Sequence, residues 1–248
     1  MFEHALVAVD LAPSGDLLVG CAPELGALGI RRLTLLHVAP VDYPMAGAVA
    51  HLDKYREALE ALADDLRNQG FEVTADVRPG NPPREILRAA REAGADLILI
   101  GSRSRSRLRK AFVGSVTLKV LEESHLPVLF LRIEPDGDDP EASLAAFCCP
   151  MDGPVLLASD TSPASERAAS VARALAREGE GRPLTVLHAG EGEPAEAIVA
   201  AASKDDAPLL VMGSRGKGLI RRMALGSVSR DVIGRIRSPV LLVPEASE

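Results

Sequence analysis

Residues 98–131, ILIGSRSRSRLRKAFVGSVTLKVLEESHLPVLFL, decide the fold, because residues 210–243, LVMGSRGKGLIRRMALGSVSRDVIGRIRSPVLLV, repeat them without a gap. Self-similarity at a fixed offset is the signature of a duplicated structural unit. Three anchor pairs share one offset of 112 residues: Gly101 with Gly213, Gly114 with Gly226, and Pro127 with Pro239. The chain therefore contains two copies of one unit.

Two shorter pairs of matching segments lie upstream of this repeat. ALVAVD at 5–10 matches VLLASD at 155–160, and LTLLHV at 33–38 matches LTVLHA at 184–189, at offsets of 150 and 151. The offset then falls from 151 to 112, so the second copy is 39 residues shorter between these two regions.

The first copy fills this interval with an additional helix and strand. HLDKYREALEALADDLRNQG at 51–70 has apolar residues at helical spacing and ends in Gly70, and FEVTADV at 71–77 follows as a strand. The second copy passes almost directly from its second strand to EPAEAIVAAA at 193–202, the counterpart of PPREILRAAREAG at 82–94. We expect it to lack one helix and one strand.

Apolar strands alternate with amphipathic helices along both copies, which predicts right-handed βαβ units and a parallel sheet covered on both faces. Helices are expected to start at Asn81 before Pro82 and at Ser162 before Pro163, as an N-cap followed by proline. The predicted strands lie near 4–9, 32–38, 71–77, 96–101 and 127–133, and near 154–159, 183–188, 208–212 and 239–243.

The predicted fold class is α/β, with two tandem open parallel-sheet domains of which the second is truncated. Residues 133–143, IEPDGDDPEAS, are acidic and rich in turn formers, which indicates a linker. We predict a complete five-stranded domain at 1–134, a linker at 135–152 and a four-stranded domain at 153–248. The length of 248 residues suits two domains better than one.

Composition excludes several classes of function. No apolar run approaches the roughly 20 residues of a membrane span, and MFEHALVAVD at 1–10 has no basic leader, so we expect a cytoplasmic protein without a membrane partner. A net charge of −7, no Trp and 3% aromatic residues argue against nucleic acid as a partner. Cys21, Cys148 and Cys149 have neither metal-ligand nor disulfide spacing, so no metal site is predicted.

The glycine loop is the best candidate for a ligand site, because ligands gather at the carboxyl ends of parallel strands where the strand order reverses. In the second copy it reads Gly213-x2-Gly216-x9-Gly226-Ser227. Glycine allows close backbone approach, and Ser227 at a helix N-terminus offers free N–H groups, which suits phosphate. The spacing is neither a Walker A loop, since Gly218 follows Lys217, nor a GxGxxG fingerprint.

This loop resembles the G-x2-G-x9-G-[ST] ATP-binding loop of the universal stress protein family. Each of the two copies resembles the family's domain over nearly its whole length, apart from the segment deleted from the second copy. The resemblance includes the strand-end Asp10 and Asp160 and the final strands PVLFL and PVLLV. It implies adenine nucleotide α-hydrolase-like, Rossmann-like domains that bind ATP, with or without Mg²⁺, in a stress-response or signalling role. In the first copy, Ser104 replaces the second glycine, so the second copy is the favoured site.

The resemblance also assigns site residues position by position. The aspartates would meet the adenine or ribose, the residues at the strand ends would line the base pocket, and the loop glycines and helix-start residues would hold the phosphates. In the second copy these are Ala158, Ser159, Asp160, Ala189, Met212, Gly213, Gly216, Gly226, Ser227, Val228 and Ser229. In the first copy they are Ala8, Val9, Asp10, Val38, Ile100, Gly101, Ser104, Gly114, Ser115, Val116 and Thr117.

Family members commonly dimerise through their last strands, so the resemblance implies an internal pseudo-dimer in which PVLFL and PVLLV pair. It leaves open a further homodimer and an unidentified protein partner. No catalytic residue is assigned, because no base matched in both copies accompanies the loop except the strand-end aspartates.

Several alternatives stay open on the sequence. A scaffold that binds no nucleotide, or a weak ATPase, fits the same fold, whereas the SGGxDS pattern of related ligases is missing from DLAPSGD at 10–16. Asp10 and Asp160 suit a helix cap or a turn carboxylate as well as a nucleotide contact. His37 and His188 are interpreted as packing residues, and the basic residues are interpreted as mostly solvated: Arg103, Arg105, Arg107, Arg109, Lys110, Arg215, Lys217, Arg221 and Arg222.

Overall fold

Nine strands form one sheet in the computed structural model, which describes residues 1–11, 18–39, 48–102, 113–133, 151–178, 181–188, 192–203, 209–216 and 225–245. The strands are β1 His4–Val9, β2 Arg32–Ala39, β3 Glu72–Pro79, β4 Leu97–Gly101, β5 Val128–Leu131, β6 Val155–Ser159, β7 Leu184–His188, β8 Leu209–Gly213 and β9 Val240–Val243. The helices are α1 Ala48–Asn68, α2 Pro82–Glu92, α3 Ser115–Glu123, α4 Pro163–Glu178, α5 Pro194–Ala202 and α6 Ser227–Arg235, with a 3₁₀ helix at Ala22–Leu28.

The sheet order is β3-β2-β1-β4-β5-β9-β8-β6-β7. The first copy supplies five adjacent strands and the second copy four, and within each copy every neighbouring pair is parallel. The predicted α/β class with parallel sheets is therefore confirmed. The predicted linker at 135–152 lies outside the described residues except for Met151 and Asp152, so the domain boundaries stay a prediction.

Both faces of the sheet are covered by helices, because successive strand residues point to opposite sides. Along β4, for example, Leu97 and Leu99 face the layer that contains α1, α4 and the 3₁₀ helix, whereas Ile98 and Ile100 face α2, α3, α5 and α6. This alternation produces two apolar layers, and each of them runs through both halves of the chain.

Two predicted helix starts are confirmed. The side chain of Asn81 accepts a hydrogen bond from the N–H of Arg84 at 3.3 Å, and Pro82 begins α2. Ser162 accepts from the N–H of Ser165 at 3.3 Å, and Pro163 begins α4. Each cap satisfies one of the N–H groups that a helix start leaves without an intrahelical acceptor.

The described part of the connection between β1 and β2 contains a 3₁₀ helix in addition to α-helical residues. Residues 18–20 are α-helical, and the 3₁₀ helix that follows has Pro23 in its first turn and ends at Gly29 with φ of 90°. Proline is tolerated in the first turn of a helix, and glycine adopts the left-handed conformation that ends one. The matching connection in the second half is α4, a regular helix of 16 residues.

The two halves meet at β5 and β9, which pair antiparallel as expected for the final strands, with Leu129 opposite Leu241. Arg132 reinforces this seam from the first half. Its Nε donates to the carbonyl oxygen of Ile236 at 2.6 Å, and a second guanidinium nitrogen donates to the carbonyl of Ile233 at the end of α6. A cation at a helix C-terminus also interacts favourably with the helix dipole.

Candidate functional site

The strand order reverses at one place in each half of the sheet. In the second half, β6 lies between β7 on one side and β8 on the other, so the connections from β6 and from β8 diverge between these two strands. In the first half, the same arrangement occurs between β1 and β4. Such switch points are the preferred ligand sites of open α/β sheets. The segments that start at Asp160 and Gly213 border the switch point of the second half.

Asp160 is held in one orientation by the turn that follows β6. Its Oδ1 accepts hydrogen bonds from the N–H of Ser162 at 3.0 Å and from the Ser162 hydroxyl at 2.6 Å. Thr161, between them, has φ of 61°, a left-handed conformation that turns the chain sharply. Leu11 has φ of 48° at the matching position after Asp10. The turn role considered for Asp160 is therefore observed, and it leaves Oδ2 directed towards the glycine loop.

Gly216 lies directly against the Asp160 carboxylate. A Cβ atom at position 216 would be 2.6 Å from Asp160 Oδ2, closer than carbon and oxygen can pack. Since Oδ1 of the same carboxylate is fixed by Ser162, the carboxylate cannot simply swing away. The second glycine of the loop is thus required by close approach across the switch point. Its counterpart, Ser104, lies outside the described residues.

Gly213 serves close packing between β8 and the start of α4. A Cβ there would lie 3.0 Å from the backbone carbon of Ala164 and 3.0 Å from the N atom of Ser165. In the first half, the corresponding space beside Gly101 is filled by a side chain, because a Cβ on Gly101 would meet Cδ1 of Ile133 at 2.4 Å. Gly213 and Gly101, the first glycine of each loop, therefore both allow close packing, but against different neighbours.

Gly226 joins the end of the loop to its beginning. Its N–H donates to the carbonyl oxygen of Ser214 at 2.9 Å, and it is the N-cap residue of α6, with φ of −57° and ψ of 149° and no side-chain cap. The N–H groups of Ser227, Val228 and Ser229 then have no acceptor within the helix, and they form the positive end of its dipole. Gly114 has φ of −58° and ψ of 148° at the start of α3, so the first half repeats this helix start.

Ser229 and Thr117, both assigned to the phosphate site, use their hydroxyl groups within the protein. The Ser229 hydroxyl donates to the carbonyl oxygen of Gly213 at 3.0 Å and the Thr117 hydroxyl donates to that of Gly101 at 2.8 Å. A hydroxyl has one hydrogen, so while these bonds are formed a phosphate contact would fall to the N–H groups of these residues. The hydroxyl groups anchor the helix start to the strand end. Ser227 and Ser115, two residues earlier, are exposed.

The apolar residues assigned to the base pocket lie at the strand ends, mostly inside the core. Val38, Ile100, Ala158 and Met212 are 8%, 4%, 5% and 4% exposed and belong to the layer beneath α2, α3, α5 and α6. Val9 is buried in the opposite layer. Five further strand-end and helix-start positions are half-buried: Ala8, Asp10, Ser159, Val116 and Val228. Ala189 lies outside the described residues.

The two histidines are not equivalent. His37 is buried, its Nδ1–H donates to the carbonyl oxygen of Val9 at 2.9 Å, and its ring lies 4.7 Å from that of Tyr55, which matches the packing role expected for it. His188 is exposed at the end of β7. Of the basic residues near the loops, the structure describes Arg215, whose carbonyl oxygen lies 3.3 Å from the Ser162 hydroxyl oxygen.

Ser165 is a site residue that the sequence reasoning missed. Its hydroxyl accepts from the N–H of Asp160 at 3.2 Å and donates to the hydroxyl of Ser159 at 2.9 Å, so it ties the end of β6 to the first turn of α4. The available signal was the third-residue spacing from the N-cap Ser162, which places Ser165 over the preceding strand end.

Comparison with known proteins gives consistent matches. The family model described as "Universal stress protein family" matches residues 1–132 and 187–244. A universal stress protein of Mycolicibacterium smegmatis is 27% identical over 295 residues, covering 96% of each chain. Universal stress protein YxiE of Bacillus subtilis is 27% identical over 150 residues, covering 53% of this chain and 100% of YxiE. The crystal structure of a universal stress protein from Archaeoglobus fulgidus superposes with a TM-score of 0.77 at 23% identity, covering 98% of both chains.

Proposed function

Because the chain belongs to the universal stress protein family, we propose that it binds ATP at the switch point of its second half. The proposed role is that of a nucleotide-dependent module in a stress response or in signalling. One observation carries the proposal: Gly216 lies against the fixed carboxylate of Asp160, beside the uncapped start of α6. Glycine backbone, a polar group and a positive helix end thus meet where ligands of such sheets bind.

The phosphates fit the start of α6. Anions bind at helix N-termini because the free N–H groups point at the ligand and the dipole favours negative charge. Ser227 adds an exposed hydroxyl to the N–H groups of the first turn. The absence of a side-chain cap leaves these donors available to a ligand.

The nucleoside fits the side of the site formed by β6. A carboxylate has about four acceptor positions, so Asp160 retains acceptor capacity beyond the two bonds that it receives from Ser162. A ribose hydroxyl or the adenine amino group would supply the donor. The carboxyl end of β6 lies beside that of β8, with Ala158 paired with Met212, so the base would sit across these two strand ends.

Binding without turnover is the favoured activity. In-line phosphoryl transfer to water needs a group that orients the water, whereas the Asp160 carboxylate would be shared between the turn that holds its Oδ1 and the bound nucleoside. Across the residues whose positions are described, no three His, Cys, Asp or Glu side chains form a group that would hold a metal ion. Any Mg²⁺ would therefore be carried mainly by the phosphates and water, which is its usual mode with nucleotides.

Bound nucleotide would act as a switch by joining the two ends of the loop. Its phosphates would contact the start of α6 while its nucleoside contacts Asp160 after β6. A ligand shifts a conformational equilibrium by as much as its affinity differs between the two states. The surface above the switch point would thus differ between the free and bound protein, and this difference is what a partner would recognise.

Reciprocal substitutions of the second loop glycine test the proposal. Isothermal titration of the wild type with Mg-ATP is expected to show one site per chain. Gly216→Ser gives the second half the residue of the first, and we expect it to weaken binding about tenfold or more, about 1.4 kcal/mol, because a Cβ there would collide with Asp160. Ser104→Gly is expected to leave that site unchanged.

Gly234→Ser is the matched control, because a Cβ at this position of α6 would meet nothing within 4 Å. It should bind ATP like the wild type. Absence of any heat or melting shift with ATP, ADP or AMP in the wild type would refute nucleotide binding. Unchanged affinity in Gly216→Ser, together with loss of binding in Ser104→Val, would move the site to the first half.

A further inference from the structure

The two edges of the nine-stranded sheet are protected very differently. The β3 edge carries Glu72, Asp76 and Arg78 and ends in Pro79, and Arg78 forms ion pairs with Asp76 and Glu92, both at 2.7 Å. Charged residues and proline are the usual means by which an edge strand avoids pairing with another chain. The β7 edge, Leu184–His188, has no acidic, lysine or arginine residue. It is open to strand addition by the same criteria.

The main-chain groups of β7 alternate between the sheet and the outside. The N–H of Val155 donates to the carbonyl oxygen of Pro183 at 2.9 Å, and Val155 is in register with Leu184. In a parallel ladder the N–H and C=O of alternate residues therefore face β6. The groups of Leu184, Val186 and His188 point away from the sheet, and within the described part of the chain no strand pairs with them.

The missing helix and strand leave the same strand uncovered on one face. In the first half, Leu33 and Leu35 are 1% and 0% exposed and pack in the layer that holds Leu59, Ala63 and Leu66 of α1. Their counterparts in β7 are Leu184, which is half-buried, and Val186, which is 45% exposed. The deletion thus exposes apolar surface as well as backbone donors and acceptors.

We propose that β7 pairs with β7 of a second copy of this chain, antiparallel and about a two-fold axis at Val186. An interface of this kind is isologous, so the same strand must complement itself. Val186 would face Val186 of the other copy, Leu184 would face His188, and Thr185 would face Leu187. Residues whose groups point outward would form the hydrogen-bonded pairs and exchange both N–H···O bonds.

A second copy fits this edge for two reasons found in the chain itself. The pairs bring no like charges together, and the central pair joins two β-branched side chains, which favours cross-strand contact. The chain also closes another apolar edge in the same way, because β5 and β9 pair antiparallel through uncharged strands. Pairing of β7 would continue that sheet without a break from one copy to the next.

Sedimentation equilibrium and amide exchange test the proposal together. The wild type is expected to sediment as a dimer, and Val186→Lys as a single chain, because two lysines would then face each other on the axis. Val186 is largely exposed within one chain, so this change should leave the fold intact. Thr74→Lys is the control, since Thr74 is an exposed residue of the opposite edge strand, and it should remain dimeric.

Amide exchange locates the contact without any substitution. The amides of Val186 and His188 should be protected in the dimer and exchange at least tenfold faster on dilution to single chains. The amides of Thr185 and Leu187, which face β6, should stay protected throughout. A wild type that sediments as a single chain at all concentrations would overturn the proposal. So would a dimer that survives Val186→Lys, or a wild-type dimer in which the amide of Val186 exchanges rapidly.

Discussion

The second strands of the two halves have nearly the same sequence, LTLLH at 33–37 and LTVLH at 184–188, and opposite environments. Residues 33–37 of β2 are all buried, whereas β7 has three exposed and two half-buried residues. The difference arises from 39 residues elsewhere in the chain, which supply α1 and β3 to the first half and have no counterpart in the second. A buried-strand sequence has thus been kept where its cover has been lost.

The glycine loops differ in the opposite sense. The second half has the glycine that packs against its strand-end carboxylate, and the first half has Ser104 at that position. Strands and helices that frame the loops are closely alike, down to a hydroxyl from the first helical turn that donates to the preceding glycine carbonyl. The first half therefore keeps the complete sheet and the second half keeps the loop on which we place nucleotide binding.

The largest expected effect is at the matched pair Leu35 and Val186. Leu35→Ala should lower the free energy of unfolding by about 2–5 kcal/mol, because it removes a fully buried side chain and leaves a cavity. Val186→Ala should cost less than about 0.5 kcal/mol within a single chain, as is usual for an exposed site. Urea denaturation at a protein concentration too low for dimers to form measures both changes in the free energy of unfolding. Equal costs would show that β7 is as well covered as β2.

An intermediate effect is expected at the seam between the halves. Arg132→Met should lower the free energy of unfolding by about 1.5–3 kcal/mol, since it removes charge-assisted hydrogen bonds to the buried carbonyl groups of Ile233 and Ile236. Arg230→Met is the control, because Arg230 pairs with Glu122 across the same seam but is 49% exposed. A surface ion pair is worth about 0–1 kcal/mol. If Arg230→Met lowered the free energy of unfolding as much as Arg132→Met, the exposed ion pair would contribute as much to the seam as the buried hydrogen bonds of Arg132.

The smallest effect is expected at Thr117 and Ser229, where the halves are alike. Thr117→Val and Ser229→Ala should each cost about 1 kcal/mol, because each leaves a glycine carbonyl without its donor. In thermal and urea unfolding, the two substitutions should lower the free energy of unfolding by the same amount, within about 0.5 kcal/mol. A much larger loss at Ser229, or a large loss of ATP affinity with little loss of stability, would return its hydroxyl to the phosphate site.

Most of the fold was predictable because it depends on local patterns and on the repeat. All nine strands lie within a few residues of the predicted positions, since apolar runs bounded by turn formers mark buried parallel strands well. The caps at Asn81 and Ser162 were predictable for the same reason. The 3₁₀ helix at Ala22–Leu28 was not, because alternation predicts that a connection exists but not how tightly it winds.

The candidate site was predictable in its positions and less so in the roles of its side chains. Spacing alone placed Gly213, Gly216 and Gly226 in one loop, and the resemblance brought Asp160 to it. That Gly216 touches Asp160, and that Ser229 turns its hydroxyl back to Gly213, depends on distances between residues far apart in the chain. The turn contact of Asp160 with Ser162 likewise became visible only from interatomic distances.

The sequence by itself determined that this chain is a duplicated α/β unit with a shortened second copy, because periodicity and repeat offsets are properties of the chain alone. The tertiary structure decided what the shortening means. The neighbours of β2 and β7 come from distant segments, and so the same five-residue pattern is core in one half and an open edge in the other. Burial is set by what packs against a strand, and no pattern within the strand records what has been removed beside it.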